Sequence, residues 1–232
     1  MNERVTAHVS CVGIIMDGNR RWAKERGLPV FEGHRAGGRA LKSVVTWAKD
    51  AGIEHIIFYT FSTENWHRSE KEVSYLLDLI QEFIKKELEH FNAEGGVMHF
   101  VGDMARFPES LQKLCKESEE KTARNGGTHV YFALNYGGRQ EILSAVRAIV
   151  AENPQPEAIT DAYFAEHLQT GSMPDPDLVI RTSGEMRLSG FLPWQSVYSE
   201  LFFTKTLWPD FSKEEFDAIL VEFSTRERRR GK

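Results

Sequence analysis

HVSCVGIIMDGNRRWAKERGLPVFEGH, residues 8–34, joins an apolar run to a dense set of polar groups. The run at residues 9–16 has the composition of a buried strand and stops at Asp17, Gly18 and Asn19. A basic segment that favours a helix begins at Arg20. In an open α/β sheet, ligands bind at the carboxyl ends of strands, where the next helix offers free N–H groups to anions. The stretch therefore predicts an α/β fold with an anion site after its first strand.

The polar residues of this stretch suit a diphosphate. Asp17 can hold a metal beside a phosphate, and Gly18 permits a close backbone approach. Arg20, Arg21 and His34 can contact oxygen anions. An Asp-Gly-Asn triplet is also ordinary turn chemistry, so this segment alone leaves a purely structural explanation open.

Strand and helix patterns alternate along the rest of the chain. Further strands are predicted at residues 55–61, 97–101, 129–135 and 177–181, and within 197–204. Helices are predicted at residues 33–51, 71–91 and 108–125, and from 138 to about 153. Thr160 is expected to cap a short helix, and Ser212 with Glu215 to form a capping box on the last one. This alternation predicts one α/β domain over residues 1–232, with a largely parallel central sheet flanked by helices.

Composition excludes several classes of function. The formal net charge of −5 argues against a nucleic-acid binder, which needs a dominant basic surface. The two cysteines, Cys11 and Cys115, lack metal-ligand spacing and are expected to be reduced thiols. No apolar stretch is long enough for a membrane span, and the first ten residues have no signal-peptide core. We therefore expect a cytoplasmic protein that touches a membrane at most peripherally.

Two more polar clusters follow predicted strands. Residues 62–68 come after the second strand and end at Arg68, and Arg181, Arg187 and Ser189 follow the fifth strand. The carboxyl ends of parallel strands share one edge, so these clusters and Asp17 are expected to face one cleft. Its arginines suit phosphate oxygens, and the carboxylates of Asp17 and Glu200 suit Mg²⁺. A diphosphate leaving group with a metal that neutralises its charge is the natural inference.

Three long motifs resemble the cis-prenyltransferase family, and within it the bacterial undecaprenyl diphosphate synthases. They are IIMDGNRRWAKERG from residue 14, FYTFSTENWHR from residue 58 with Glu72-Val73 after it, and DLVIRTSGEMRLSGFLPWQSVYSELFFTKTLWPDF from residue 177. The likeness covers nearly the whole chain. It implies an α/β sheet with an elongated apolar substrate tunnel, a homodimer, and Mg²⁺-assisted addition of isopentenyl diphosphate to an allylic diphosphate such as farnesyl diphosphate. It also implies a long cis-polyprenyl product, such as undecaprenyl diphosphate, for cell-wall glycan synthesis.

The resemblance assigns roles to individual residues. Asp17 matches the essential carboxylate and Mg²⁺ ligand, and Glu200 a second metal position. Asn65 matches the proton acceptor. The allylic diphosphate cradle corresponds to Gly18, Asn19, Arg20, Arg21, Trp22 and His34. The segment that positions the reacting ends corresponds to Ser62, Thr63, Glu64, Asn65, Trp66 and Arg68, and the isopentenyl diphosphate site to Arg181, Arg187, Leu188 and Ser189.

Three positions depart from the family pattern. Val30 stands where many members carry a phosphate-binding arginine, which predicts weaker binding of the allylic diphosphate unless Arg21 or Arg35 supplies the charge. Gly190 stands in place of a usual Asn and Pro193 in place of a common Leu. Both lie in the loop beside Ser189, where Gly adds backbone freedom and Pro removes it.

Alternative functions remain open on the sequence. A haloacid-dehalogenase-like phosphatase also begins with an Asp after a strand, but it carries DxD, and Asn19 occupies the second position. An all-helical trans-prenyltransferase is disfavoured because the chain lacks DDxxD. A non-catalytic scaffold subunit would be expected to lose the catalytic carboxylates.

Two further questions concern the product and the termini of the fold. Phe58, Phe83 and Phe132 could block the tunnel and give a short-chain product. The aromatic region at residues 197–211 is a candidate dimer contact. The basic stretch at residues 226–232 is either a solvated tail or a segment that folds over a phosphate.

Overall fold

The computed structural model describes residues 8–227 and is built on six parallel strands. The strands are β1 (Cys11–Ile15), β2 (His55–Ser62), β3 (Val97–Val101), β4 (His129–Tyr136), β5 (Leu178–Arg181) and β6 (Glu200–Phe203). Their order across the sheet is β3-β4-β2-β1-β5-β6. The predicted parallel α/β sheet is confirmed.

Helices connect and flank the strands. The α-helices are α1 (Asn19–Glu25), α2 (Val30–Asp50), α3 (Glu70–Ala93), α4 (Glu109–Thr122), α5 (Gly138–Glu152), α6 (Asp161–Glu166) and α7 (Lys213–Thr225). Short 3₁₀ helices span Thr63–His67, Met104–Arg106, Pro156–Ala158 and Trp208–Asp210. None of the helices in residues 8–227 is both long and apolar enough to cross a membrane.

The strand order places a crevice above β1. The chain runs from β1 to β2 on one side, continues through β3 and β4, and then returns to place β5 on the other side of β1. Ligands of open α/β sheets bind where the strand order reverses in this way, outside the carboxyl ends of the strands. The segments that leave β1, β2 and β5 therefore converge on one site.

Alternating side chains of the sheet fill two cores. Val12 and Ile14 of β1 belong to the larger one, which α2, α3, α4 and α7 cover. Cys11 and Ile15 point to the opposite face and join a smaller cluster. Both faces of β1 are apolar, and all five of its residues are buried. Such two-sided burial explains why residues 9–16 form a nearly continuous apolar run rather than an alternating one.

Element boundaries differ from the predicted ones for local reasons. β1 is shorter than the apolar run, and at its start the Asp177 carboxylate accepts hydrogen bonds from the N–H groups of Ser10 (2.8 Å) and Cys11 (3.1 Å). α2 starts at Val30, directly after Pro29. Thr160 and Ser212 cap their helices as predicted, each accepting a hydrogen bond from the backbone N–H three residues on.

The predicted capping box on α7 is only half formed, because the Glu215 side chain does not accept a hydrogen bond from the Ser212 backbone N–H. The Glu215 carboxylate instead accepts hydrogen bonds from the hydroxyl groups of Thr204 and Thr206.

Residues 1–7 and 228–232, which include part of the predicted amino-terminal and basic segments, lie outside the described residues. Of the basic stretch, Arg226 forms an ion pair with Glu200 (Nη1–Oε2, 2.8 Å).

Candidate active site

Asp17 lies just past the carboxyl end of β1, and its backbone is held on both sides. Its N–H donates to Thr182 Oγ1 (3.0 Å), and its carbonyl accepts from that hydroxyl (2.6 Å) and from the N–H of Trp208 (3.0 Å). The carboxylate remains one-third exposed. Its Oδ2 accepts from Arg181 Nη2 (2.9 Å), and its Oδ1 lies 3.8 Å from Arg21 Nη2. A fixed backbone thus presents a half-open carboxylate between two arginines.

Gly18 and Asn19, which follow Asp17, are closely packed against Leu207 and against glycines of α2. Gly18 has a φ of +114°, and a Cβ atom there would lie 3.0 Å from the Cα of Leu207. A Cβ at Gly33 would lie 2.0 Å from the Asn19 carbonyl oxygen, and one at Gly37 would lie 2.4 Å from Asn19 Oδ1. Glycine is required at Gly33 because the clash there involves backbone. Asn19 Oδ1 is buried with no hydrogen-bond partner in the described part of the chain.

Arg181 is a buried arginine at the end of β5, with 4% of its surface exposed. Besides Asp17, it donates to Ser189 Oγ (2.8 Å) and to the carbonyl oxygen of Arg187. Its Nε has no hydrogen-bond partner within residues 8–227. A buried guanidinium with an unused N–H is costly without a ligand, so this group fits an incoming anion.

Glu72, in the first turn of α3, joins three groups of the cleft. Its Oε1 lies 3.1 Å from Arg68 Nη1, 3.4 Å from His34 Nε2 and 3.8 Å from Arg20 Nε. Burial, and next the charge of Arg68, lower the pKa of His34, so its imidazole is neutral at pH 7. The sequence reasoning gave Glu72 no role, and the extended backbone of Arg68 lies outside α3, so the pair has no helical spacing signal in the sequence.

The segment after β2 forms a short 3₁₀ helix (Thr63–His67) whose start is fixed by a capping box. Asn65 Oδ1 accepts from the N–H of Ser62 (3.2 Å), and the Ser62 side chain accepts in return from the Asn65 backbone. Asn65, Ser62 and Arg68 line the same cleft as Asp17. Glu64 lies beside Ser189 in an adjoining pocket, and the Thr63 hydroxyl is buried without a partner in the described region.

Several predicted site residues lie outside the polar cleft. Trp22 Nε1 donates to Asp210 Oδ1 (2.6 Å), and Trp66 Nε1 donates to Asn135 Oδ1 (2.8 Å), so both indole N–H groups already have acceptors in the protein. Arg187 is exposed and pairs with Glu185, and Leu188 packs against the smaller core cluster. The substrate contacts assigned to these four residues by resemblance stay predictions.

Glu200 is not brought to Asp17 within one chain. It begins β6 and pairs in register with Leu178, the first residue of β5. Arg181, which forms the ion pair with Asp17, is the last residue of β5. Three residues of strand separate the two ends by roughly 10 Å. The expectation that Asp17 and Glu200 face one cleft is therefore not met in the single chain, because Glu200 lies at the amino end of its strand. Its role as a second metal ligand stays a prediction.

The polar cleft opens onto an apolar pocket. The pocket lies between α2, α3 and the sheet and encloses about 700 Å³ of empty space, part of it open to solvent. Leu76, Leu79, Ile80 and Phe83 of α3 line it. Met16, Asn19 and His34 line both the pocket and the cleft. Lys24 and Thr60 also line the cleft, and no signal in the sequence pointed to either of them.

Comparisons with known proteins agree with this geometry. Residues 15–231 match the family described as "Putative undecaprenyl diphosphate synthase". An isoprenyl transferase of Thermotoga maritima is 46% identical over 98% of this chain and 97% of its own. One of Clostridium perfringens is 43% identical over 95% of this chain and 88% of its own.

Two solved structures share the fold. The crystal structure of lavandulyl diphosphate synthase from Lavandula x intermedia, in complex with dimethylallyl diphosphate, superposes with a TM-score of 0.94 at 34% identity and covers 97% of this chain and 99% of that one. A probable undecaprenyl diphosphate synthase from Campylobacter jejuni gives a TM-score of 0.82 at 28% identity, with full coverage of both chains.

The parallel α/β fold is shared with prenyl diphosphate synthases over nearly the whole chain, and in this protein it carries an arginine-rich cleft. The protein is therefore an enzyme that transfers prenyl groups. The chain belongs to the isoprenyl transferase family of undecaprenyl diphosphate synthase-like proteins.

Proposed function

We propose that this protein catalyses Mg²⁺-dependent cis-prenyl chain elongation, condensing isopentenyl diphosphate onto an allylic diphosphate, with farnesyl diphosphate as the primer. One observation carries the proposal. A cleft lined by Asp17 and several arginines shares its walls with an apolar pocket of about 700 Å³. A molecule that is anionic at one end and hydrocarbon along the rest matches that combination. The dimethylallyl diphosphate bound by the lavandulyl diphosphate synthase is also an allylic diphosphate.

The two diphosphates are assigned to different walls of the cleft. We assign the allylic diphosphate to the region between α1 and Arg68, where Asp17, Arg20, Arg21 and His34 lie. Its hydrocarbon chain enters the apolar pocket, where burial of each methylene contributes about 0.8 kcal/mol. Isopentenyl diphosphate is assigned to the side of Arg181 and Ser189, because the buried Arg181 Nε offers an unused donor there, and the exposed Arg187 outside the cleft is proposed as a further contact.

The donor set of the cleft fits Mg²⁺. This ion is usually bound by one or two carboxylates together with substrate phosphates, and Asp17 offers one accessible carboxylate among phosphate-binding groups. The described residues contain no group of three or more His, Cys, Asp or Glu side chains that could hold a metal without the substrate. When bound, Mg²⁺ would neutralise charge on the leaving diphosphate. Glu200 could join only if a second chain supplied it.

Protein groups position the reacting ends. Carbon–carbon bond formation breaks the bond between the allylic carbon and its diphosphate and releases a proton from the isopentenyl unit. Arg68, anchored by Glu72, balances the growing negative charge on the leaving group. The Asn65 amide, held by Ser62, faces the cleft where that proton departs. Because an amide is a very weak base and the Asn65 oxygen already accepts from Ser62, Asn65 would orient the isopentenyl unit, and the proton would pass to the released diphosphate.

The proposed product is a long cis-polyprenyl diphosphate. A shorter product is the second candidate, and one observation favours it. The rings of Phe83, Phe100 and Phe132 form a wall of the pocket, with centroids 6.2 Å apart for Phe83–Phe132 and 5.4 Å for Phe100–Phe132. Phe58, by contrast, is completely buried in the core beneath this wall. A long chain requires these rings to move.

Self-association is the expected quaternary state. An apolar stripe on α5 is exposed at Leu143, Val146 and Val150, and Val197 and Tyr198 before β6 are two-thirds exposed. Such surfaces are typical of faces that a partner covers, and residues 197–211 were the predicted contact. We therefore propose a homodimer. We further propose that it acts in the cytoplasm and meets the membrane peripherally when its lipid product leaves.

Product analysis tests the proposed reaction. The enzyme is mixed with Mg²⁺, farnesyl diphosphate and excess isopentenyl diphosphate, and the products are measured by mass spectrometry. The proposal predicts a series spaced by one isoprene unit that ends at long chains. A series that stops after one or two additions supports the short-chain candidate, and the absence of any elongated product contradicts both.

A further inference from the structure

Lys24 is a cation of the polar cleft to which no role has yet been given. It lies in the last turn of α1, one helical turn after Arg20, and lines the cleft together with Leu28 and Val30. Residues four apart on a helix lie on the same face, so Arg20 and Lys24 approach the cleft from one side. Leu28 and Val30 contribute no charge to this lining.

The other cations of this cleft already have carboxylate partners. Arg20 and Arg68 both pair with Glu72, at 3.8 Å and 3.1 Å. Arg21 lies 3.8 Å from Asp17 and donates to the carbonyl oxygen of Ser183 (2.9 Å). Across residues 8–227, no carboxylate oxygen lies within 4.0 Å of the Lys24 amine.

Nearby arginines outside the cleft are also paired. Arg35 lies 3.6 Å from Glu32, one turn before it on α2. Arg26 binds Asp210 at 2.9 Å and stacks over the Trp22 ring. Neither side chain lines the cleft. Arg35 therefore does not supply charge to the cleft at Val30, and among the described residues Lys24 is a cation of the cleft lining without a carboxylate partner.

We propose that Lys24 binds the outer phosphate of the allylic diphosphate and supplies the positive charge that Val30 does not. This inference rests on the proposed function and names the residue that sets affinity for one of the two substrates. The carboxylate beside a paired arginine cancels part of the attraction between that arginine and an anion. The ammonium group of an unpaired lysine attracts the anion with its full charge. The flexible lysine stem reaches a phosphate as a point charge, without the fixed geometry that an arginine needs.

Steady-state kinetics of the full-length enzyme test this role. Lys24→Ala is expected to raise KM for farnesyl diphosphate at least about tenfold, equivalent to 1.4 kcal/mol, with KM for isopentenyl diphosphate unchanged. Lys24→Arg should retain most of the affinity. The matched control is Lys113→Ala on α4, whose exposed side chain pairs with Glu117 at 3.6 Å. Thermal melting of each variant checks that the fold is intact.

A second substitution isolates the charge from other effects of the mutation. Val30→Arg adds a guanidinium to the lining of the same cleft, so it should restore the allylic KM in Lys24→Ala and improve the parent enzyme much less. An unchanged allylic KM in Lys24→Ala, or an equal rise in both KM values, overturns the proposal. Failure of the proposed function would look different, because the parent enzyme would then not elongate farnesyl diphosphate at all.

Discussion

At the residue scale, Asp17 is the group whose loss should separate catalysis from folding. We expect Asp17→Ala to lower kcat by about three orders of magnitude, because it removes the proposed metal ligand from a cleft rather than an apolar group from the core. Its Oδ2 pairs with the buried Arg181, so a modest loss of stability, about 1–2 kcal/mol, is also expected.

The control for this variant is Asp217→Ala, which removes an exposed carboxylate that pairs with Lys213 (2.8 Å) on α7. It should leave turnover unchanged. Rates are compared at saturating Mg²⁺ and both substrates, with circular dichroism spectra of all three proteins. Near-normal activity in folded Asp17→Ala would refute its assignment as the essential carboxylate.

Glu72 should behave as a positioning residue. Glu72→Gln keeps the size of the side chain but removes the charge that anchors Arg68 at 3.1 Å. We expect kcat/KM for the allylic substrate to fall roughly 10- to 100-fold, as is typical when a positioned electrostatic contact is lost. A guanidinium that is free to move would also weaken discrimination between diphosphate and monophosphate inhibitors. Equal inhibition profiles for the parent and variant enzymes would argue that Glu72 is purely structural.

At the element scale, the contact between α1 and α2 depends on glycine. Gly33→Ala would place a Cβ 2.0 Å from the Asn19 carbonyl oxygen, so α1 must move away from α2 and distort the cleft. We expect loss of allylic diphosphate binding and destabilisation of several kcal/mol, as for severe overpacking. Gly38→Ala, on the same helix with nothing within 4 Å of its Cβ, is the control and should gain up to about 1 kcal/mol. Urea unfolding of both variants measures the difference.

Three strands of the sheet carry a histidine cluster that makes stability depend on pH. His99 Nε2 lies 2.9 Å from His129 Nδ1, and His55 lies beside them with its ring 4.9 Å from that of His129. Burial, with the nearby histidines, lowers the pKa of His99 to about 4, and burial lowers that of His55. Histidines of the unfolded chain titrate near pH 6.5, so between about pH 6.5 and 4 the unfolded chain binds more protons than the folded protein does.

The contribution of this cluster to folding stability should consequently be complete above about pH 6.5 and be lost as the pH falls from there to about 4. Urea denaturation at a series of pH values measures this slope. His99→Phe should flatten it, and His90→Gln on the exposed side of α3 is the control for loss of a histidine. A slope that is unchanged in His99→Phe would contradict the assignment of the pH dependence to this cluster.

Much of the fold and part of the site follow from local sequence. The apolar runs and their polar exits located β1, β2 and β5, and parallel geometry brought Asp17, Arg68 and Arg181 together. Residues on helices were missed, since Lys24 and Glu72 carry no strand-end signal. Glu200 was misplaced because it begins its strand, and only the register of β6 with β5 reveals this.

At the scale of the whole molecule, we expect a homodimer in solution. Exposed Val150 of α5 (72%) and Val197 (68%) lie on the apolar surfaces proposed as the contact. Multi-angle light scattering should give twice the chain mass of 26.6 kDa at micromolar concentration, and Val150→Glu should shift the population toward monomer. Ile159→Glu, at a separate exposed apolar residue (45%), is the control. A monomeric parent protein would refute the prediction.

The coupling of diphosphate release to two substrates tests the central claim most directly. Diphosphate is measured after mixing the enzyme and Mg²⁺ with farnesyl diphosphate alone, with isopentenyl diphosphate alone, and with both. The proposed condensation predicts release only with both substrates, with one diphosphate for each isopentenyl unit added, and none after chelation of Mg²⁺. Release from a single substrate would indicate a phosphatase, and no release under any condition would indicate a non-catalytic scaffold. Either result would contradict the account.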